Sequence, residues 1–162
     1  MEKVYGAEGR HDALIQFGTR RAVLIYGYGV ENDMGYDYRH TFDHRPTQAE
    51  VLEVITDHVN GLTDAAILSG YVWKGMNVWL SSENQFNFKA AYDAAVQTDS
   101  ATLPIKFKLG ESDGNPNYHV FEDMETFKDF YTNALAYINE TLNAGWVEKD
   151  AAKAWVETLG LE

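Results

Sequence analysis

The stretch that decides the fold is residues 70–98, GYVWKGMNVWLSSENQFNFKAAYDAAVQT. Two short runs of aromatic and β-branched residues flank Lys74-Gly75, which reads as a two-residue hairpin turn. Folded there, Trp73 faces Met76 and Tyr71 faces Val78, and with Leu80 these side chains make one apolar face. Val72, Asn77 and Trp79 fall on the opposite face, because strand side chains alternate. Beyond the second strand, Ser82 and Gln85 match a capping box, and Phe86, Ala90 and Ala94 recur at helical spacing. A hairpin therefore feeds directly into a capped helix.

Upstream, residues 13–17 and 22–28 are dominated by β-branched and aromatic residues and read as strands, with Gly18-Thr19-Arg20 as the turn. Residues 36–42 alternate Tyr36, Tyr38, His40 and Phe42 with polar neighbours, the period of a half-buried strand. Thr47 and Glu50 form a capping box for a helix carrying Val51, Leu52, Val54, Ile55 and Val59, which closes at Asn60-Gly61. A short second helix over 63–69 leads to the hairpin. Downstream, residues 103–109 and 118–121 read as a longer hairpin around a loop at 110–117. Asp123 caps a helix over 124–143 that Gly145 ends, and a final amphipathic helix spans 148–159. The expectation is an α+β fold, a small antiparallel sheet of hairpins packed against four or five helices, since such local connections argue against a doubly wound parallel sheet. Residues 1–10 are expected to be a flexible arm, and 11–162 a single domain.

With 162 residues and 45% hydrophobic content, the chain can bury a substantial core. Thirteen basic against 25 acidic residues give a net charge of −12, and neither half of the chain reverses the sign. Nucleic-acid binding begins with neutralising phosphates, so an acidic chain whose only basic doublet is Arg20-Arg21 argues against that partner. It argues against an anionic membrane surface as well, and no apolar run approaches the roughly 20 residues that span a bilayer. The absence of cysteine excludes disulfides, thiolate zinc sites and cysteine nucleophiles. The opening MEKVYGAEGRHD lacks the apolar core of a signal peptide, so an intracellular origin is expected.

Candidate chemistry is sparse. Gly27-Tyr28-Gly29 resembles the start of a dinucleotide fingerprint, but it lacks the third glycine and runs into Glu31-Asn32-Asp33 instead of a helix. His40 and His44 would share a metal only on a helix; strand residues four apart lie roughly 13 Å from one another. Glu111, Asp113, Asn115 and Glu122 carry oxygens at positions suggestive of a calcium loop. Pro116 stands where that loop turns on glycine, however, and strands flank it, so a hairpin turn is the better reading. No nucleophile elbow, phosphate loop or His-Glu-x-x-His occurs. A non-enzymatic protein without a cofactor or metal is expected. The aromatic residues then become the candidate contact surface, with Trp79, Val72, Asn77 and Lys74 on the hairpin and Tyr5 in the N-terminal arm.

The segments Ile67-Leu68-Ser69-Gly70-Tyr71-Val72-Trp73 and Val78-Trp79-Leu80-Ser81-Ser82-Glu83-Asn84-Gln85-Phe86-Asn87-Phe88 resemble a domain of unknown function found in bacteriophage tail-region proteins and prophage-bearing bacteria. The shared pattern is an aromatic strand, a glycine turn, a second strand ending in serine, and a helix opening with Asn or Gln. Gly145-Trp146 followed by Glu148-Lys149-Asp150 is similar to its C-terminal helix. The resemblance implies a virion structural protein of the tail or tail-fibre region, made in the bacterial host cytoplasm. It would be homo-oligomeric and in contact with other virion proteins, and no catalytic residues carry over. The alternatives are a fibre assembly chaperone absent from the mature virion and a small glycan-binding or hydrolase module.

Overall fold

A computed structural model of the chain describes residues 1–161. In chain order its elements are β1 (Glu2–Tyr5), β2 (Ala13–Phe17), β3 (Arg21–Glu31), β4 (Met34–Phe42), α1 (Gln48–Ser69), β5 (Tyr71–Trp73), β6 (Met76–Val78), α2 (Ser82–Gln97), β7 (Ile105–Ser112), β8 (Asn115–Phe121) and α3 (Met124–Glu157). Every strand pair is antiparallel, so the class is α+β.

The described residues form three helices, where four or five are expected from the sequence. The helices expected at 47–60 and 63–69 are one, α1, running straight through Gly61. Those expected at 124–143 and 148–159 are likewise one, the 34-residue α3. Both errors come from reading a glycine as a stop. Gly145 packs against α1: a Cβ at that position would lie 2.5 Å from Thr63 Oγ1, so a larger residue would force the Thr63 side chain to move. A glycine inside a helix costs about 1 kcal/mol relative to alanine, which a close helix contact offsets.

Residue contacts divide the chain into two compact units. One comprises Met1–Asn60 with the chain from Trp146 onward, the other Gly61–Gly145.

The first unit is a four-stranded sheet in the order β1-β4-β3-β2. Alternation sends Ala22, Leu24 and Tyr26 of β3 and Phe42 of β4 to one face, where they pack with Val51, Ile55 and Val59 of α1 and Ala152 and Val156 of α3. Leu24 and Ile55 are fully buried, and each such side chain contributes about 1.5–3 kcal/mol. The α1 start is the expected capping box: the Glu50 N–H donates to Thr47 Oγ1 at 3.3 Å while the Thr47 N–H donates to Glu50 Oε2 at 2.7 Å. Residues 2–5, within the expected arm, form β1 and pair with β4. Gly27 and Tyr28 form a β-bulge between the Tyr26–Tyr38 and Gly29–Tyr36 pairs. Gly27 adopts φ +72°, and its N–H donates to Asp12 Oδ1 at 2.8 Å. The glycines that mimic a nucleotide fingerprint are thus a strand irregularity.

In the second unit, the hairpins β5–β6 and β7–β8 pack Tyr71, Trp73, Val78, Leu80, Leu109 and Phe121 against Phe88 of α2 and Phe127, Phe130 and Ala134 of α3. Two local expectations are corrected here. The α2 cap is Ser81 rather than Ser82: the Asn84 N–H donates to Ser81 Oγ at 3.2 Å, and the Gln85 amide turns back to the Leu80 carbonyl. The expected loop at 110–117 is zipped into the strands down to a two-residue turn. Asp113 and Gly114, with φ +50° and +74°, have the left-handed geometry that closes a tight hairpin.

Candidate functional site on the paired hairpins

The Lys74-Gly75 turn has φ +48° and +77°, and the register is the expected one, Trp73 to Met76 and Tyr71 to Val78. Tyr71 and Trp73 are buried, while Val72 on the other side of the strand is 54% exposed. Asn77, expected on that outer side, is half-buried because it joins the two hairpins. Its Nδ2–H donates to the Glu111 carbonyl at 3.3 Å, and its own carbonyl accepts from Asn117 Nδ2 at 3.1 Å.

Trp79 lies one residue past β6, and its N–H donates to the Leu109 carbonyl at 2.7 Å. Leu109 is the extra residue of a bulge between Lys108 and Gly110. The chains approach so closely that a Cβ on Gly110 would sit 2.6 Å from the Asn77 carbonyl oxygen and 3.2 Å from the Trp79 ring. Trp79 remains 39% exposed.

The second hairpin adds residues that the sequence reading does not single out. Lys106 and Lys108 of β7 stand opposite Val120 and Tyr118 of β8, on the side away from Phe107, Leu109 and Phe121. The Lys106 ammonium lies 4.6 Å from the Tyr118 ring centre and that of Lys108 5.5 Å from the Trp79 ring centre, both within cation–π range. Lys108 also pairs with Glu111 at 2.7 Å, and this bond holds the lysine above its usual pKa. Tyr118 is 55% exposed. Whereas Val72 borders a recess beside Asn133 and Ala136 of α3, Trp79, Tyr118 and Val120 make a solvent-facing surface studded with two lysines. The alternation of Lys106 and Lys108 with Ile105, Phe107 and Leu109 is the signal in the sequence that could have found it.

The other candidates do not converge on one site. Lys74 stays at the hairpin tip with its ammonium 4.7 Å from the Trp73 ring centre. Tyr5 belongs to the other unit, where its hydroxyl bonds Glu31. Glu111 is held by Lys108, Asp113 is in the turn, and Glu122 follows the far end of β8, about 23 Å along an extended strand from Asn115. No group of three or more His, Asp or Glu side chains among the described residues is placed to hold a metal ion. His40 is in β4 with its ring against Phe42, whereas His44 lies beyond the strand, bonded to Asp43 and Glu50. A concave apolar surface of about 200 Å³, lined by Leu80, Phe86, Phe88, Tyr131, Leu135 and Ile138, lies between α2 and α3. None of the helices, among the described residues, is long and apolar enough to cross a membrane.

Comparison with protein-family models, with curated proteins and with solved structures finds no match.

Proposed function

We propose that this chain is a non-enzymatic bacteriophage protein of the tail or tail-fibre region, working through contacts with other virion proteins. The viral assignment rests on the resemblance of residues 67–88 and of Gly145-Trp146. The contact role rests on one observation, the exposed aromatic and aliphatic surface formed by Trp79, Tyr118 and Val120 where the two hairpins meet. Exposed aromatics gathered on one rigid surface are the usual anchors of protein interfaces. Lys106 has no ion-pair partner among the described residues. In a chain of net charge −12, that lysine favours a partner presenting carboxylates at this surface. With an ammonium over each ring, the surface suits an acidic protein better than a sugar, which stacks on bare ring faces.

The test is mass spectrometry of purified virions, together with affinity capture of virion proteins by the wild-type chain and by Trp79→Ala. The chain is expected in the particle, and Trp79→Ala is expected to weaken capture by about fivefold or more while the circular dichroism is unchanged. A chain missing from virions but captured with fibre protein in the lysate would identify the assembly chaperone instead. Absence from both would end the proposal.

A further inference from the structure

The two edges of the four-stranded sheet differ in chemistry. At one edge β1 carries Glu2 and Lys3, and Lys3 is tied to Glu31 by a 3.0 Å ion pair. Charge on an edge strand is a common protection against pairing with another chain. At the other edge β2 reads ALIQF, with no charge, no proline and no bulge. It pairs with β3 alone, and its outward backbone groups meet no other element among the described residues. Ile15 and Phe17 are 44% and 55% exposed on the side away from the helices.

We propose that β2 pairs antiparallel with β2 of a second copy about a twofold axis at Ile15, joining the two sheets into one. Three observations favour a second copy as the occupant. The charged β1 edge disfavours growth on that side, so like-to-like pairing of the open edges closes into a dimer and does not propagate. Charge also matches across the seam. The start of β2 lies beside Arg10, which is shared by two carboxylates, Asp12 at 2.8 Å and Glu148 at 2.7 Å, whereas Arg20 and Arg21 follow the strand's end. Antiparallel pairing sets each basic end, Arg20 and Arg21, beside an end where two carboxylates outnumber the single Arg10 guanidinium, a modest net attraction, and parallel pairing would set the two arginine pairs beside one another. Finally, with Ile15 on the axis, Phe17 comes opposite Ala13 of the second copy, large against small on the same face. This inference concerns a different unit from the hairpin surface and stands whether or not the chain belongs to a virion.

The absence of cysteine makes the test direct. Residues directly opposite in an antiparallel pair have Cβ atoms about 4.5–5.5 Å apart, within reach of a disulfide after a small adjustment. Ile15→Cys in the full chain is therefore expected to form a covalent dimer under mild oxidation at least about tenfold faster than Val30→Cys, an exposed strand position away from the seam. Light scattering should find the wild-type chain dimeric and Ile15→Lys shifted to monomer with unchanged circular dichroism. Phe17→Lys gives the same readout if Ile15→Lys fails to fold. A wild-type chain that stays monomeric at millimolar concentration, or equal cross-linking rates at the two cysteine positions, would overturn the proposal.

Discussion

The indole N–H of Trp73 donates to Asp129 Oδ2 at 3.0 Å, which ties the buried face of the first hairpin to α3. Asp129 is itself held by Asn133, whose Nδ2–H reaches Oδ1 at 2.9 Å. Two residues earlier on the same face, the buried hydroxyl of Tyr71 has no hydrogen-bond partner among the described residues. Burial, with Asp129 nearby, pushes its phenol up to about 12.

This contrast gives the first prediction. Asp129→Ala strands a buried donor and should lower stability by roughly 1–3 kcal/mol, whereas Tyr71→Phe removes an unpaired polar group and should be neutral or stabilising. Urea unfolding of both variants checks the opposite signs. Equal losses would mean that the Tyr71 hydroxyl has a partner after all.

Two helical glycines should also respond in opposite ways. A Cβ at Gly61 meets nothing within 4 Å, so Gly61→Ala should stabilise by about 0.5–1 kcal/mol through a less flexible unfolded chain. Gly145→Ala drives its methyl into Thr63 and should destabilise, by about 1–3 kcal/mol. Thermal melts of the two variants decide it.

At the hairpin junction, the methyl of Gly110→Ala meets first the Asn77 backbone carbonyl, which cannot swing aside as a side chain can, and then the Trp79 ring. The expected loss is roughly 1–3 kcal/mol. A red shift of tryptophan emission should accompany it as Trp79 separates from Leu109, and an unshifted spectrum would argue that the two strands give way together.

Acid should weaken the first unit through His58. Its ring lies 4.1 Å from that of Tyr38, and burial, followed by the Met1 amino charge, lowers its pKa. A lowered histidine pKa means that the unfolded chain binds the proton more readily, so stability falls as pH drops below about 6.5 and levels off below the folded-state value. His40 shifts in the same direction by burial. His44 runs the other way: its bonds to Asp43 and then Glu50 raise its pKa, so its contribution is present in acid and is lost as pH rises through that raised value. His44 is exposed and its share is screened. His58→Gln should therefore flatten the decline between pH 7 and pH 5, a difference below about 1 kcal/mol read from urea midpoints. An unchanged slope would exclude His58 as its source.

Local rules made much of this legible. Lys74-Gly75 announced a turn, and the turn set the register of Trp73 and Tyr71. Thr47 and Glu50 announced the start of α1, and the alternation from Tyr36 to Phe42 announced β4. The failures share a different cause. Gly61 and Gly145 carry the same local signature as a helix stop, and only the approach of Thr63 distinguishes Gly145 as a packing residue. Asp113-Gly114 closes a hairpin as readily as it decorates a loop. Lys106 and Lys108 became part of a surface only because Asn77 and Trp79 dock the first hairpin beside them. The pairing of one hairpin with the other depends on side-chain amides and a bulge far apart in sequence, which no periodicity encodes.

The bulge at Gly27 and Tyr28 acts as a parity switch. Before it, the even-numbered residues of β3, Ala22, Leu24 and Tyr26, face the helices; after it, the pairings of Gly29 with Tyr36 and Glu31 with Met34 hand that side to odd numbers. This is why Glu31 can reach Lys3 and Tyr5, and it lays the end of the Tyr36 ring over position 29, where an added Cβ would push that ring aside. One strand thereby serves an apolar layer with its first half and a charged, tyrosine-rich corner with its second. Deleting either bulge residue would exchange inside for outside in everything from Gly29 to Glu31, so the spacing of this strand is as constrained as its composition.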